Sequence, residues 1–210
     1  MYEEIRTFLS KSTDVLIKKD SSMPVGGSVI SKSISFKWDT SKAGQGIEIT
    51  DGGMTVFLKE QSYVFRTVVS EAVRNYLIQC FMSGTHYWEI IADPRTENEL
   101  KIGVTTNRDF DLNSAFCDHA FGYAYYGLGQ LRHNSNASGN QYGKRFKKEG
   151  VLGVFLNMNK GTLSFALNGE YMGVAFNIEA LKKGPIYPAV SLLHCAGCKI
   201  RTGPAPPYFT

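Results

Sequence analysis

The stretch GVLGVFLNMNKGTLSFALNGEYMGVAF, residues Gly150 to Phe176, decides the fold. Val151 to Leu156 is a continuous apolar run, as in a strand buried between two sheets, whereas Thr162 to Leu167 alternates. Between them Asn159-Lys160-Gly161 predicts a three-residue connection, and Asn168-Gly169 supplies the positive φ angles of a two-residue hairpin. The register of three consecutive strands is therefore written locally. Phe155 and Phe165 are expected inside the core, together with Trp88 upstream.

Working outward, Leu77 to Phe81, His86 to Ala92, Leu100 to Thr105, Phe121 to Tyr126, Tyr187 to Leu193 and Lys199 to Arg201 read as further short strands. Ala196-Gly197 looks like a hairpin turn joining the last two. Toward the N-terminus Ile34, Phe36 and Trp38 alternate with polar residues, and Ile47-Glu48-Ile49 and Met54 to Leu58 flank a hairpin signal at Asp51-Gly52-Gly53. About a dozen strands with almost no helical periodicity predict an all-β, antiparallel two-sheet sandwich. Residues 1–30 differ. Tyr2, Ile5, Phe8 and Leu9 recur at helical spacing, and Ser21 to Ser28 is a Pro/Gly/Ser-rich connector, so an N-terminal extension precedes a domain of residues 31–210.

A chain of 210 residues with 43% hydrophobic content, 13 Phe and 11 Tyr can fill one large core, and its 21 Gly supply the turns. No run of 18 apolar residues spans a membrane, and Met1-Tyr2-Glu3-Glu4 is unlike a secretory or mitochondrial leader, which predicts a cytoplasmic or nuclear protein. The net charge of +4 is spread along the chain. Its densest basic run, Lys144-Arg145-Phe146-Lys147-Lys148, suits a solvated loop better than a nucleic-acid surface. Cys80, Cys117, Cys195 and Cys198 fit a reducing compartment. Cys195 and Cys198 have zinc-ligand spacing beside His194, but no second close-spaced pair exists, so neither a metal nor another cofactor is expected. Asn136-Ala137-Ser138 matches a glycosylation sequon, which without secretion is chance.

These stretches carry a resemblance. Ser83 to Glu89 (SGTHYWE), Ile102-Gly103-Val104, Gly161 to Phe165 (GTLSF), Asn168-Gly169, Gly173 to Phe176 (GVAF) and Tyr187 to Ser191 (YPAVS) together resemble the signature of the SPRY domain family. Trp38-Asp39 and Ile47 to Gly53 resemble the opening of its SOCS-box branch, and Arg201-Thr202-Gly203-Pro204 is similar to the ending in some tripartite-motif ligases. The resemblance spans residues 33–207, about four-fifths of the chain. It implies a concanavalin-like jelly roll that binds a partner protein or peptide through its connecting loops and is not itself a catalyst.

The family's contact loops map onto Lys59 and Glu60 with Gln61, onto Asn107 to His119 including Arg108, onto Tyr125 and Tyr126, and onto Leu193 and His194. The resemblance implies that these segments converge on one rim. Tyr125 and Tyr126 are the preferred anchors, because tyrosine combines a large rigid contact area with a hydrogen-bonding tip. Strand alternation should nevertheless bury at least one of Tyr123, Tyr125 and Tyr126. Phe121-Gly122-Tyr123 stands where SOCS-box relatives carry Trp-Gly-Trp, and His194 stands where they present a tryptophan. Their peptide preference is therefore not transferred. Asn157 replaces a frequent aspartate, a change read as structural.

Three functions compete. The first is a protein-interaction module, an adaptor or substrate receptor linked to the ubiquitin pathway through another subunit, because few residues flank the domain. The second is a permanent structural subunit of a large assembly. The third is a carbohydrate-binding or hydrolytic sandwich, for which Glu89 and Asp93 alternate onto one strand face as a candidate carboxylate pair. No orienting group accompanies that pair, and the enzyme reading is disfavoured.

Overall fold

The computed structural model describes residues 36–71, 73–74, 77–78 and 80–204. The helix and connector expected in residues 1–30, and Ile34, lie outside them. In chain order the strands are β1 (Trp38–Ala43), β2 (Ile47–Thr50), β3 (Thr55–Leu58), β4 (Ser62–Ser70), β5 (Val73–Arg74), β6 (Leu77–Ile78), β7 (Thr85–Ala92) and β8 (Leu100–Thr105). They continue with β9 (Gly122–Tyr126), β10 (Gln130–Arg132), β11 (Asn140–Gln141), β12 (Val151–Asn157), β13 (Thr162–Leu167), β14 (Glu170–Asn177), β15 (Tyr187–His194) and β16 (Gly197–Thr202). Among the described residues three short 3₁₀ turns are the only helical elements.

Two seven-stranded antiparallel sheets form the sandwich, ordered β1-β4-β15-β8-β9-β10-β11 and β14-β13-β12-β7-β16-β3-β2, with β5 and β6 as a separate pair. The hairpin geometry follows the turn residues. Asn168 and Gly169 have φ of 52° and 84°, and Gly161 has φ of 72°. Asn157 Oδ1 accepts the Lys160 N–H at 3.0 Å, so its amide caps the β12–β13 turn. That turn begins one residue earlier than expected, because the Met158 N–H is drawn to Gly84 O at 2.8 Å.

Between the sheets, Trp88, Ile90, Val154, Leu156 and Phe165 share one core with Ile102, Val104, Tyr123, Tyr125 and Val190. Phe36 joins Trp38, Phe81 and Trp88 edge-on at centroid distances of 5.8–6.1 Å. Burying each such side chain contributes about 1.5–3 kcal/mol. Phe155 departs from expectation. The apolar run of β12 is not buried on both faces: Leu152, Val154 and Leu156 are buried, while Val151 and Phe155 are half-buried on the outside of the sheet. There Phe155 pairs with half-buried Tyr87 across the strands. A Cβ on Gly153 would lie 2.7 Å from the Tyr87 hydroxyl oxygen, so this glycine gives Tyr87 room on the outer face.

Ala196-Gly197 is not a hairpin. β15 belongs to one sheet and β16 to the other, where β16 pairs with β3 and β7. The intervening turn carries the chain between layers, and His194 takes a φ of 56° to do so. The first sheet also carries a second small core on its outer face. Val69, Ala189 and Ala124 are covered by Ala115, Phe116 and Cys117 from the β8–β9 connection. That loop is tied down where the Thr67 N–H donates to Leu112 O at 2.8 Å and the Phe116 N–H to Ser191 Oγ at 3.2 Å.

Candidate functional site

Register within the first sheet defines two ends. At one, His194 faces Ser62, Leu192 faces Leu100, and Lys101 and Gln130 flank Tyr126. At the other, Thr105 lies between Tyr187 and Gly122. The expected contact residues divide between these ends rather than converging on one rim. β8 separates them by five residue steps, about 17 Å.

The first end holds Lys59, Glu60, Leu193, His194 and Tyr126. Lys59 and Glu60 are exposed on the β3–β4 loop, and Leu193, His194 and Tyr126 are partly exposed. Gln61 organises the corner, since its amide donates to His194 Nδ1 at 3.0 Å and its carbonyl accepts from Cys195 Sγ at 3.4 Å. Tyr63, 82% exposed, meets the His194 ring edge-on at 6.0 Å, and Val64 beside it is also exposed. Behind the loop an open cleft of about 430 Å³ is lined by Gln45 to Glu48, Leu58 to Ser62 and Arg66. Lys59 is paired there with Glu48 at 3.1 Å.

The other end holds Asn107, Arg108 and His119. Asn107 Oδ1 accepts the Asp109 N–H at 2.9 Å, Arg108 pairs with Asp39 and lies 5.2 Å over the Tyr187 ring, and His119 stacks on Phe121 at 4.9 Å. Burial pushes the Asp39 carboxyl up, but hydrogen bonds from Ser41 and Arg108 prevail and hold it below its usual value. Arg108 and Asp109 each make a longer tie, Arg108 to Asp39 and Asp109 to Lys42 at 2.7 Å. They clamp the β8–β9 connection onto β1.

Tyr125 corrects its assignment as an exposed anchor. Its side chain is completely buried, 5.5 Å from the Phe165 ring, and its hydroxyl donates to Lys144 O. Alternation along β9 sends Tyr123 and Tyr125 into the core and leaves Tyr126 on the outer face. Phe146, within the basic run, is likewise fully buried and offers no platform for a base.

Sequence reasoning missed Lys101, Arg132 and the stretch Tyr63 to Phe65. Lys101 is 2% exposed, pairs with Asp118 at 3.0 Å and sits 4.1 Å over the Phe65 ring. Arg132 is also buried, with its guanidinium 5.3 Å over the Tyr126 ring. The signal for Lys101 was a charge inside the otherwise apolar run Leu100 to Val104. Tyr63-Val64-Phe65 was a three-residue apolar run with no place in the alternation.

The cysteine pair is split by the inter-sheet turn. Cys195 is on the surface corner with Gln61, whereas Cys198 is in the core. No group of three or more His, Cys, Asp or Glu converges among the described residues. Burial pushes the Cys117 thiol up to about 12 and raises that of Cys198 as well. At pH 8 both should resist a thiol-specific reagent in the native protein and react on unfolding. Rapid native labelling at either position by peptide mapping would contradict their burial.

Glu89 and Asp93 are each taken up by local partners. Glu89 accepts the Tyr87 hydroxyl at 2.9 Å and pairs with Arg201, while Arg95 binds Asp93 at 2.8 Å. The hydrogen bond from Arg95 holds the Asp93 carboxyl below its usual value, opposite to what a general acid needs.

The family profile for the SPRY domain matches residues 85–205. The ATP-dependent RNA helicase Ddx1 of Drosophila melanogaster is 27% identical over 169 residues, 80% of this chain and 21% of the helicase. A probable ATP-dependent RNA helicase ddx1 of Dictyostelium discoideum is 31% identical over 110 residues, 52% of this chain and 13% of that protein. Human SPRY domain-containing SOCS box protein 2 is 29% identical over 182 residues, 78% of this chain and 63% of the relative. The chain thus spans less than two-thirds of each of these relatives. Among solved structures, the SPRY domain of human HERC1 aligns with a TM-score of 0.56 at 20% identity, covering 79% of this chain and 96% of that one. The TRIM65 PSpry domain aligns with a TM-score of 0.56 at 17% identity, covering 79% and 91%. These two share the fold.

Proposed function

The chain belongs to the SPRY domain family, and on that premise we propose that it is a non-catalytic module that binds a protein or peptide through the end of the sandwich carrying Lys59, Glu60, Tyr63, Tyr126, Leu193 and His194. One observation carries this reading: Tyr63, 82% exposed, stands against His194 beside an open cleft of about 430 Å³. An exposed aromatic on a rigid strand, rimmed by polar loop residues, is the kind of anchor that dominates interface energies. Asn107, Arg108 and His119, at the far end, position the covering loop in this account. Tyr125 supports the surface from within.

The role is that of an adaptor or substrate receptor in the cytoplasm, with a link to the ubiquitin pathway. The SOCS-box relative supports this direction. A permanent place in a larger assembly is the second reading, favoured by Val174 and Tyr171, 54% and 40% exposed on edge strand β14. No helix among the described residues is long and apolar enough to cross a membrane.

Affinity capture followed by titration of the recovered partner tests the surface. Tyr63→Ala should weaken binding by about 1–4 kcal/mol, roughly five- to several-hundred-fold. His194→Gly should weaken it similarly while changing fold stability by less than about 1 kcal/mol, because a glycine relieves the left-handed backbone as the ring contacts are lost. Normal binding by both variants, with binding abolished by Arg108→Ala, would move the surface to the other end.

A further inference from the structure

We propose that Arg132, with Lys101 and Tyr126 beside it, forms an anion-binding site that receives a carboxylate or phosphoryl group presented by the protein partner. The site comprises the outer-face cluster of β8, β9 and β10, with Lys101 and Tyr126 at the end of the first sheet that bears His194 and Arg132 two residues further along, opposite Ala124. Two cations flank one aromatic ring there, Arg132 at 5.3 Å and Lys101 at 5.6 Å from the Tyr126 centroid.

The charges do not balance. Lys101 has its carboxylate, Asp118, at 3.0 Å, and Arg108 at the other end of the sheet has Asp39. Arg132, 8% exposed, makes no ion pair among the described residues. Its only side-chain partner there is the neutral amide of Gln130, which accepts from Nη2 at 3.0 Å. Nε and Nη1 are buried without a hydrogen-bond partner. Glu99 Oε2 accepts the backbone N–H groups of Glu97 and Asn98 at 2.7 Å, which ties that carboxylate to the β7–β8 connection. A guanidinium withdrawn from water normally finds an anion, since its desolvation is otherwise uncompensated. The same fold provides one for each of the other two cations.

Access is provided by the cover. A Cβ on Gly139 would lie 2.3 Å from Leu131 O and 3.0 Å from Arg132 Nε and Cδ, so a glycine is required against the Leu131 carbonyl and also lies over the guanidinium stem. The rest of the β10–β11 loop, His133 to Ser138, is largely exposed. His133 is anchored, stacked on Tyr123 at 4.3 Å with its Nδ1 2.8 Å from Gly122 O, so the segment that moves to uncover Nε and Nη1 is Asn134 to Gly139. The site extends the proposed binding surface across Tyr126, so its physiological ligand rests on that reading. Its affinity for small anions does not.

The test is a titration of the arginine side-chain Nε–H resonances of the intact protein with inorganic phosphate and, separately, acetate, at ionic strength held constant with chloride. The expected result is a saturable shift of the Arg132 signal, identified by its loss in Arg132→Gln. In that variant the shifts of the Gly139 and Asp118 backbone amides should occur at roughly ten- to hundred-fold higher anion concentration. A response to phosphate alone assigns a phosphoryl ligand, and a response to both assigns a carboxylate-type site. No saturable shift with either anion, or the same backbone titration in Arg132→Gln, overturns the inference. Should Arg132→Gln not fold, the wild-type titration decides alone, with Arg132→Lys identifying the resonance. Loss of the anion response while Tyr63→Ala still weakens partner binding would sink this site and leave the surface reading intact. Anion binding in a protein whose partner ignores Tyr63 and His194 would do the reverse.

Discussion

Tyr125→Ala is expected to destabilise the protein by about 3–5 kcal/mol, the range for removing a large aromatic from a packed core. The side chain is fully buried, its ring lies 5.5 Å from Phe165 and 6.1 Å from Tyr142, and its hydroxyl donates to Lys144 O. Burial raises its phenol pKa, so it remains a neutral donor throughout the ordinary pH range. The variant should unfold roughly 6–20 °C lower, at about 2–4 °C per kcal/mol for a chain of this size. Tyr125→Phe should cost only about 1–2 kcal/mol, the hydrogen bond left unmade at the Lys144 carbonyl. Thermal unfolding of the two variants separates packing from polarity. A loss below about 1 kcal/mol for the alanine variant would return Tyr125 to the surface.

The second large effect concerns Lys101 and Asp118. Removing the carboxylate by Asp118→Ala should cost about 3 kcal/mol, because it leaves an ammonium group at 2% exposure without its counter-charge. The lower end of the range for buried pairs applies, since Asp118 keeps 21% of its side chain in water. Lys101→Met should be near neutral or stabilising. Methionine matches the lysine stem in volume, keeps the contact with Phe65 and removes the desolvation cost altogether. Urea denaturation of both single variants and the double variant gives the coupling directly. Additive effects of the two substitutions, with a coupling near zero, would mean that the two side chains do not interact as a buried ion pair.

What could be read from the sequence divides along a physical line. Alternation and turn chemistry are local, and they located β7, β8, β9, β12, β13 and the Asn168-Gly169 hairpin in the sandwich. Which sheet a strand joins is not local. Ala196-Gly197 has hairpin chemistry, yet the chain crosses between layers there because β3 and β7 supply the hydrogen-bond partners of β16. The same limit explains Phe155. A continuous apolar run cannot reveal which parity faces the core, and Trp88 pairing with Val154 assigns the inward face to the even-numbered residues of β12. Tyr125 and Tyr126 were indistinguishable by composition, and one step of alternation separated a core residue from a surface one. The division of contact residues between two ends of the first sheet could not be seen without register. Nor could the covering loop that turns Asn107, Arg108 and His119 back toward β1 and β9.

The most direct test of the binding surface is amide hydrogen exchange of the protein alone and in complex with the partner recovered by affinity capture. Binding should slow exchange across Lys59 to Val64, Gln130 to Arg132 and Leu193 to Cys195, and leave Asn107 to Asp109 unchanged. Protection confined to Asn107 to Asp109 and Phe121, or to β14, with the His194 end exchanging as in the free protein, would contradict the account.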